Sequence, residues 1–423
     1  DDVLPFFKKS ENHQQINELD SDYHGDSGEL NVTLPTRFKT PYVDGFITAC
    51  KNNGINENRD YNGSTQYGVG LVHSTIKDGK RHSAAAAFLK PVLNRSNLNV
   101  ITHAKVCKII LKDKKAVGVE YTRGSKKIQV NSEKEVILSA GAFQSPQLLM
   151  LSGLGDSLEL KKHGIDCLHE LKGVGKNLQD HLFYPICVKS KTQDGINHYI
   201  SPFNQLKATW DYFINKKGVF CVGPLEGMAF FDLKQNDGNV NFQLHFSPIC
   251  IDDKYGYDAY DLYDFPRSDG FTILPTLLHP KSRGVVSLSS SNPNDIPIIQ
   301  PNFFQRKEDL DQLVKGGRFV FKLMNDKALK NHKLRDGLPL DRVSEDFLIE
   351  HIKKTLETVY HPVGTCKMGN DSLAVVNPLL KVHGISNLRV VDASIMPKII
   401  SGNTNACVYM IAEKAAYMIL NKL

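Results

Sequence analysis

Between residues 98 and 138 the chain alternates short β-branched runs with tight turns, and this pattern constrains the fold most strongly. The runs cover 98–102, 106–111, 116–121, 127–130 and 135–138, and Asp113-Lys114-Lys115 and Arg123-Gly124-Ser125 punctuate them. Runs separated by turn residues rather than by helical stretches predict a meander, not a series of βαβ units. Ser139-Ala140-Gly141-Ala142 sits where the last run ends. Ser145-Pro146 then predicts a helix through Met150, with Pro in its first turn.

Elsewhere the pattern is mixed. Residues 2–12 and 85–94 read as short helices. Residues 344–359 read as an amphipathic helix with Leu348, Ile352, Leu356 and Val359 on one face and Ser344 as N-cap. A short strand is expected at 388–391. A final helix over 404–420 is expected to turn Ala406, Met410 and Ile411 inward and Glu413 and Lys414 outward. The stretch 185–340 mixes aromatic strands and loops. Its Phe203, Phe230, Phe231, Phe242 and Phe246 suggest an apolar face, for which core packing is the default reason.

A chain of 423 residues fits two or three domains. Its 41% hydrophobic content excludes disorder as the main state. The net charge of +6 is mild on this length and gives no warrant for nucleic-acid binding. No apolar run is long enough for a membrane-spanning helix. Cys50, Cys107, Cys167, Cys187, Cys221, Cys250, Cys366 and Cys407 contain no C-x-x-C pair, which argues against zinc and iron–sulfur sites; no metal ligands are expected, and the thiols are expected to be free and mostly buried. The chain opens on Asp1-Asp2-Val3-Leu4 without an initiator Met, so no targeting signal can be read from it.

Chemistry-bearing residues are densest near the C-terminus. In Tyr360-His361-Pro362-Val363-Gly364-Thr365-Cys366-Lys367-Met368-Gly369 a His follows a predicted helix, with Pro and Gly fixing the backbone around it. A lone His among 15 is by default structural. Val391-Asp392-Ala393-Ser394 ends a strand, and Ser401-Gly402-Asn403-Thr404-Asn405 leads into the last helix, whose N-terminal amides suit an anion or simply a capping turn. The pairs Gly68-Val69-Gly70, Gly153-Leu154-Gly155 and Gly173-Val174-Gly175 fall short of G-x-G-x-x-G, so no dinucleotide fingerprint is present. No G-x-S-x-G elbow supports a hydrolase.

These segments together resemble the glucose–methanol–choline (GMC) oxidoreductases. The resemblance rests on 361–369, on 382–397 and on Ser401-Gly402-Asn403-Thr404-Asn405-Ala406. Upstream it rests on 139–155, on Gly173-Val174-Gly175-Lys176-Asn177-Leu178-Gln179-Asp180-His181 and on Pro280-Lys281-Ser282-Arg283-Gly284. Cys407 and Tyr409 depart from it, standing where the family more often has Pro and a smaller residue. The resemblance implies an α/β (α+β) fold with two discontinuous domains. An FAD/NAD(P)-binding-like domain, incomplete at its N-terminus, is expected over 76–184 and 345–423. A substrate domain on an antiparallel sheet under helices is expected over 20–75 and 185–344. The family's first FAD-binding unit, which carries G-x-G-x-x-G, is not in this chain and is expected to be a separate, cleaved or lost segment.

The same resemblance implies FAD as cofactor and oxidation of an alcohol to an aldehyde or ketone. His361 is placed as the active-site base and Asn403 as the second active-site residue. Val106, Ala140, Asp392, Ala393, Asn403, Thr404 and Asn405 are placed at the cofactor. The implied partners are a small alcohol, with a primary alcohol favoured, and an electron acceptor, oxygen or a quinone. Two alternatives stand beside this: a flavin-free, non-catalytic remnant, and a lyase on the same fold.

Overall fold

The computed structural model describes residues 2–233, 240–251, 261, 264–332 and 343–423. The helices used below are α1 (Leu4–Ser10), α2 (Pro41–Asn52), α3 (Gly141–Leu151), α4 (Pro202–Trp210), α5 (Lys307–Met324), α6 (Glu345–Thr355) and α7 (Asn405–Leu420). The strands are β1 (Gly68–Leu71), β2 (Lys105–Lys112), β3 (Lys115–Arg123), β4 (Lys126–Asn131), β5 (Val136–Leu138), β6 (Leu182–Phe183), β7 (Ile186–Lys189), β8 (Gly227–Phe231), β9 (Phe242–Ser247), β10 (Gly270–Leu277), β11 (Glu357–Thr358) and β12 (Leu388–Val390). None of the described helices is long and apolar enough to cross a membrane. The chain forms two units, one from residues 1–92, 182–279 and 308–358, the other from 93–181, 280–307 and 359–423.

The first unit is built on an antiparallel sheet in the order β11-β6-β10-β9-β8-β1, with β7 also paired to β10. Strands β8, β9 and β10 are buried along their whole length, as strands covered on both faces must be. Phe46 of α2 stacks on Phe246 of β9 with ring centroids 4.9 Å apart. A Cβ at Gly316 of α5 would strike the Phe242 ring and one at Gly317 the Tyr184 hydroxyl, so this glycine pair lets α5 lie close on the sheet. Phe230, Phe231, Phe242 and Phe246 are buried as the sequence predicts, but Phe203 is 79% exposed. It lies on α4, which turns its apolar side outward.

The second unit holds an antiparallel meander, but of three strands, β2-β3-β4. Residues 98–102 form no strand, and Val100 and Ile101 are exposed. A β-branched run becomes a strand only where a neighbour completes its ladder, and the pairing with β3 begins at Lys105. The last run, β5, leaves the meander and pairs in parallel with β12, matching Val136 to Leu388 and Leu138 to Val390. Its partner comes from the far end of the chain, which local pattern cannot reveal.

Helix α3 starts at Gly141, not at Ser145, so Pro146 lies inside it. Proline removes the N–H that would meet the Ala142 carbonyl four residues back. The Thr365 hydroxyl donates to that carbonyl instead, at 2.6 Å. Helix α6 has its expected cap, the Ser344 hydroxyl accepting from the Phe347 N–H, and buries Leu348 and Ile352. It stops at Thr355, so Leu356 and Val359 do not share its face. In α7 the buried residues are Ile411, Ala415 and Met418; Ala406 is exposed and Glu413 and Lys414 are half-buried, contrary to the expected facing. All eight cysteines are free, and five of them are buried.

Candidate active site

The residues 177–181 and 359–364 run side by side in the second unit and build one wall of the site. Backbone bonds join Gln179 to Val363 in both directions, at 2.9 and 3.1 Å, and Val359 donates to the His181 carbonyl at 3.0 Å. Asp180 accepts the His361 backbone N–H at 2.9 Å. Gly364 closes the turn at φ +95°, where a Cβ would stand 2.5 Å from the Asn177 carbonyl oxygen. Glycine is therefore required there on both backbone and steric grounds.

This pairing sets two imidazoles against each other. His181 Nδ1 and His361 Nδ1 are 2.9 Å apart, and the rings meet edge to face. His181 is fully buried, and its Nε2 lies 3.0 Å from the Ile400 carbonyl oxygen. A carbonyl only accepts, so His181 Nε2 carries the proton. With the proton on Nε2, the neutral ring offers Nδ1 as an acceptor. His361 then donates from Nδ1, and its Nε2 keeps a lone pair. No partner for that Nε2 occurs among the described residues. Burial also lowers the His361 pKa to about 4, so the ring is neutral at physiological pH. The arrangement is a fixed, unprotonated imidazole able to accept a proton.

The bond from His181 to Ile400 ties the residues before α7 to the same wall. Asn403 and Asn405 are exposed, and Thr404 is buried at the start of α7, whose N-terminus has no side-chain cap. Asp392 organises the other helix start. One of its carboxylate oxygens accepts from the Gly141 N–H at 2.9 Å and the Ser145 hydroxyl at 2.5 Å, and the other accepts from the Ser394 N–H at 2.8 Å. Ala393, half-buried, begins a short helical turn whose Ser394 and Ile395 carbonyls accept from Cys366 and Met368.

The sequence pattern of the GMC oxidoreductases matches residues 1–183 with its N-terminal part and 280–412 with its C-terminal part. The chain belongs to the GMC oxidoreductases. This GMC oxidoreductase is 40% identical over 426 residues to an alcohol dehydrogenase (acceptor) of Pseudomonas putida, the match covering all of this chain and 75% of the relative. It is 35% identical over 419 residues to an oxygen-dependent choline dehydrogenase of Cronobacter sakazakii, covering 98% and 73%. Among solved structures, pyridoxine 4-oxidase of Mesorbium loti superposes with TM-score 0.85 at 27% identity, over 99% of this chain and 77% of that one. A formate oxidase variant of Aspergillus oryzae superposes with TM-score 0.89 at 27% identity, over 100% and 78%.

FAD is the cofactor of this family, and several features of the second unit suit it. Ala140 is exposed, and the Cβ position of Gly141 at the start of α3 faces open space with nothing within 4 Å. At the start of α3 the Gly141 N–H is taken by Asp392, whereas the N-terminus of α7 has no side-chain cap, so its first amides keep donor capacity. Val106 stands 39% exposed on β2. Small exposed residues, an uncapped helix start and an exposed apolar strand residue suit a large cofactor with an anionic link and flat rings. In the GMC oxidoreductase the expected positions 106, 140, 403 and 405 are exposed, 393 is half-buried and 404 is buried. Asp392 is only 6% exposed, with protein donors on both carboxylate oxygens.

Sequence reasoning assigned no role to His181, Asp180 or Thr365. The stretch 173–181 matches the family pattern, but only the pairing of 179 with 363 shows that His181 faces His361.

Proposed function

We propose that this chain oxidises the CH–OH group of a small alcohol to a carbonyl, with His361 as the base. The observation that carries the proposal is the His181–His361 contact at 2.9 Å, which leaves His361 Nε2 as an unprotonated acceptor. His361 would take the hydroxyl proton at Nε2, and Asn403 would hold the substrate oxygen by an amide hydrogen bond. FAD, when bound, accepts the hydride from the same carbon. Ala140, Ala393, Thr404, Asn405 and Val106 would line the cofactor. Asp392 would serve it by fixing Gly141 and Ser394 in place.

On this reading the second unit carries the residues that serve the cofactor and the base. The relatives' names support an alcohol, and the His361-Pro362-Val363-Gly364 turn favours a primary one. The electron acceptor is oxygen or a quinone.

The test is His361→Ala in enzyme loaded with FAD. Retained flavin absorbance with alcohol turnover reduced by about 10²–10⁴-fold is expected; near-normal turnover would remove His361 from the mechanism. Bleaching of the wild-type flavin bands on adding alcohol separates oxidation from a lyase reaction, which leaves them unchanged.

A further inference from the structure

The first unit displays an apolar stripe that its own fold does not use. Phe203, Leu206, Trp210, Phe213 and Ile214 lie on α4 and on the helical turn Asp211–Asn215 that continues it, and each is between 60% and 79% exposed. At 3.6 residues per turn Phe203, Leu206 and Trp210 fall within roughly 60° of arc on α4, and Phe213 and Ile214 follow on the wider turn that continues it. The opposite side anchors the helix. Ala208 is buried, and the Asn204 and Gln205 amides donate to the His198 and Ile200 carbonyls at 3.0 and 2.9 Å. A surface helix of a globular protein normally buries its apolar stripe. This one docks by its polar and small residues and presents the large ones outward. Five side chains of this size expose on the order of 500 Å², at the upper end for a monomer surface and typical of an interaction site.

Cations frame the stripe. Lys207 lies beside it and Lys216 and Lys217 end it, all three exposed. Lys216 Nζ sits 5.9 Å from the Tyr212 and Phe213 ring centroids. Arg37 is fixed alongside by donating from Nη1 to the Lys216 carbonyl at 2.7 Å. The acid within the stripe's helix, Asp211, accepts from Asn215 at 2.8 Å. Phe, Leu and Trp on one face with Lys and Arg at its border is the composition of a helix lying in a lipid interface: the rings enter the headgroup–acyl boundary, and the lysines extend to anionic headgroups. Trp210 is the only tryptophan of the chain.

We propose that this stripe is a docking surface for an anionic lipid membrane, on which α4 lies in the plane of the interface. The border of lysines selects the lipid surface over a second copy of this chain, whose matching stripe would carry the same positive charge.

The experiment uses the FAD-loaded protein with vesicles of phosphatidylcholine alone or mixed with phosphatidylglycerol. Co-flotation with the anionic vesicles and a blue shift of Trp210 emission are expected. The variant Phe203→Ser/Phe213→Ser keeps Trp210 and should lose flotation while oxidising alcohol with a soluble dye acceptor at the wild-type rate, which also shows that it is folded. Lys207→Glu/Lys216→Glu/Lys217→Glu should weaken binding to anionic vesicles by roughly fivefold or more for each lysine replaced. The proposal is overturned if the wild type does not float with anionic vesicles, or if the phenylalanine variant floats equally well. It is also overturned if the wild type sediments as a dimer that this variant converts to monomer, since the stripe would then be an interface between copies.

Discussion

The Nδ1 atoms of His181 and His361 lie 2.9 Å apart, and the buried His181 is bonded through its other nitrogen to the Ile400 carbonyl. The proton on His181 Nε2 thereby decides which nitrogen of His361 is basic. On the proposed mechanism His181 acts through His361, as a positioning residue. In His181→Ala the imidazole of His361 loses its fixed tautomer and orientation, and kcat should fall on the order of 10–100-fold with KM changed far less. His181→Asn, which keeps an acceptor toward His361, should recover part of the loss. Steady-state kinetics of both variants check this; equal losses would mean that only packing matters.

The pH profile follows from burial. His361 has its pKa lowered to about 4 by desolvation. It is neutral and able to accept a proton above that value and becomes protonated below it. The acid limb of kcat/KM should therefore lie near pH 4, and activity should stay level from neutral pH down toward it. A limb near the free imidazole value of about 6.5 would show the ring to be solvated in the working enzyme.

Pro146 and Thr365 form a second coupled pair. Thr365→Val removes the hydroxyl that satisfies the Ala142 carbonyl and should cost about 1–3 kcal/mol of stability. Pro146→Ala restores a backbone donor to that carbonyl, so in this background the cost of Thr365→Val should shrink toward zero. Denaturant unfolding of the two single variants and the double variant measures the coupling. Additive losses would contradict the compensation.

In the first unit, His24 donates from both ring nitrogens, to Glu11 at 3.0 Å and to Asp60 at 2.8 Å. Burial alone would lower its pKa, but the hydrogen bonds and charges of these two carboxylates outweigh it and raise the pKa to about 9. A raised histidine stabilises the fold fully below its unfolded value and loses that contribution as pH rises through about 9. His24→Gln should lower stability near neutral pH by about 2 kcal/mol, after allowing for solvent screening of the carboxylates. Above pH 9 the variant and the wild type should converge in thermal melts. A gap that persists there would assign the effect to packing.

How much of this was legible beforehand depends on sequence distance. The N-cap at Ser344, the strands β2, β3 and β4 and the final helix follow from periods and turn residues that act over a few positions. The start of α3 was misplaced because Pro146 reads as a helix opener until Thr365, from a remote segment, is seen to take over the lost bond. The expected inward facing of Ala406 failed for a related reason: a helix whose residues are apolar almost all round does not reveal from its own sequence which side meets the core.

The sequence alone determined the family and the chemistry, and it pointed to His361 as the proposed base, because His361 and the turn around it form a continuous stretch whose backbone needs are local. Only the tertiary structure decided which nitrogen of His361 is free, since that rests on His181 and Ile400, two residues far apart in the chain. It alone decided that Asp392 braces two turns, because its donors come from Gly141, Ser145 and Ser394. It alone showed that the phenylalanine expected in the core at position 203 faces outward. Local sequence carries propensity and pattern, whereas the side a residue faces is set by what the rest of the chain packs against it.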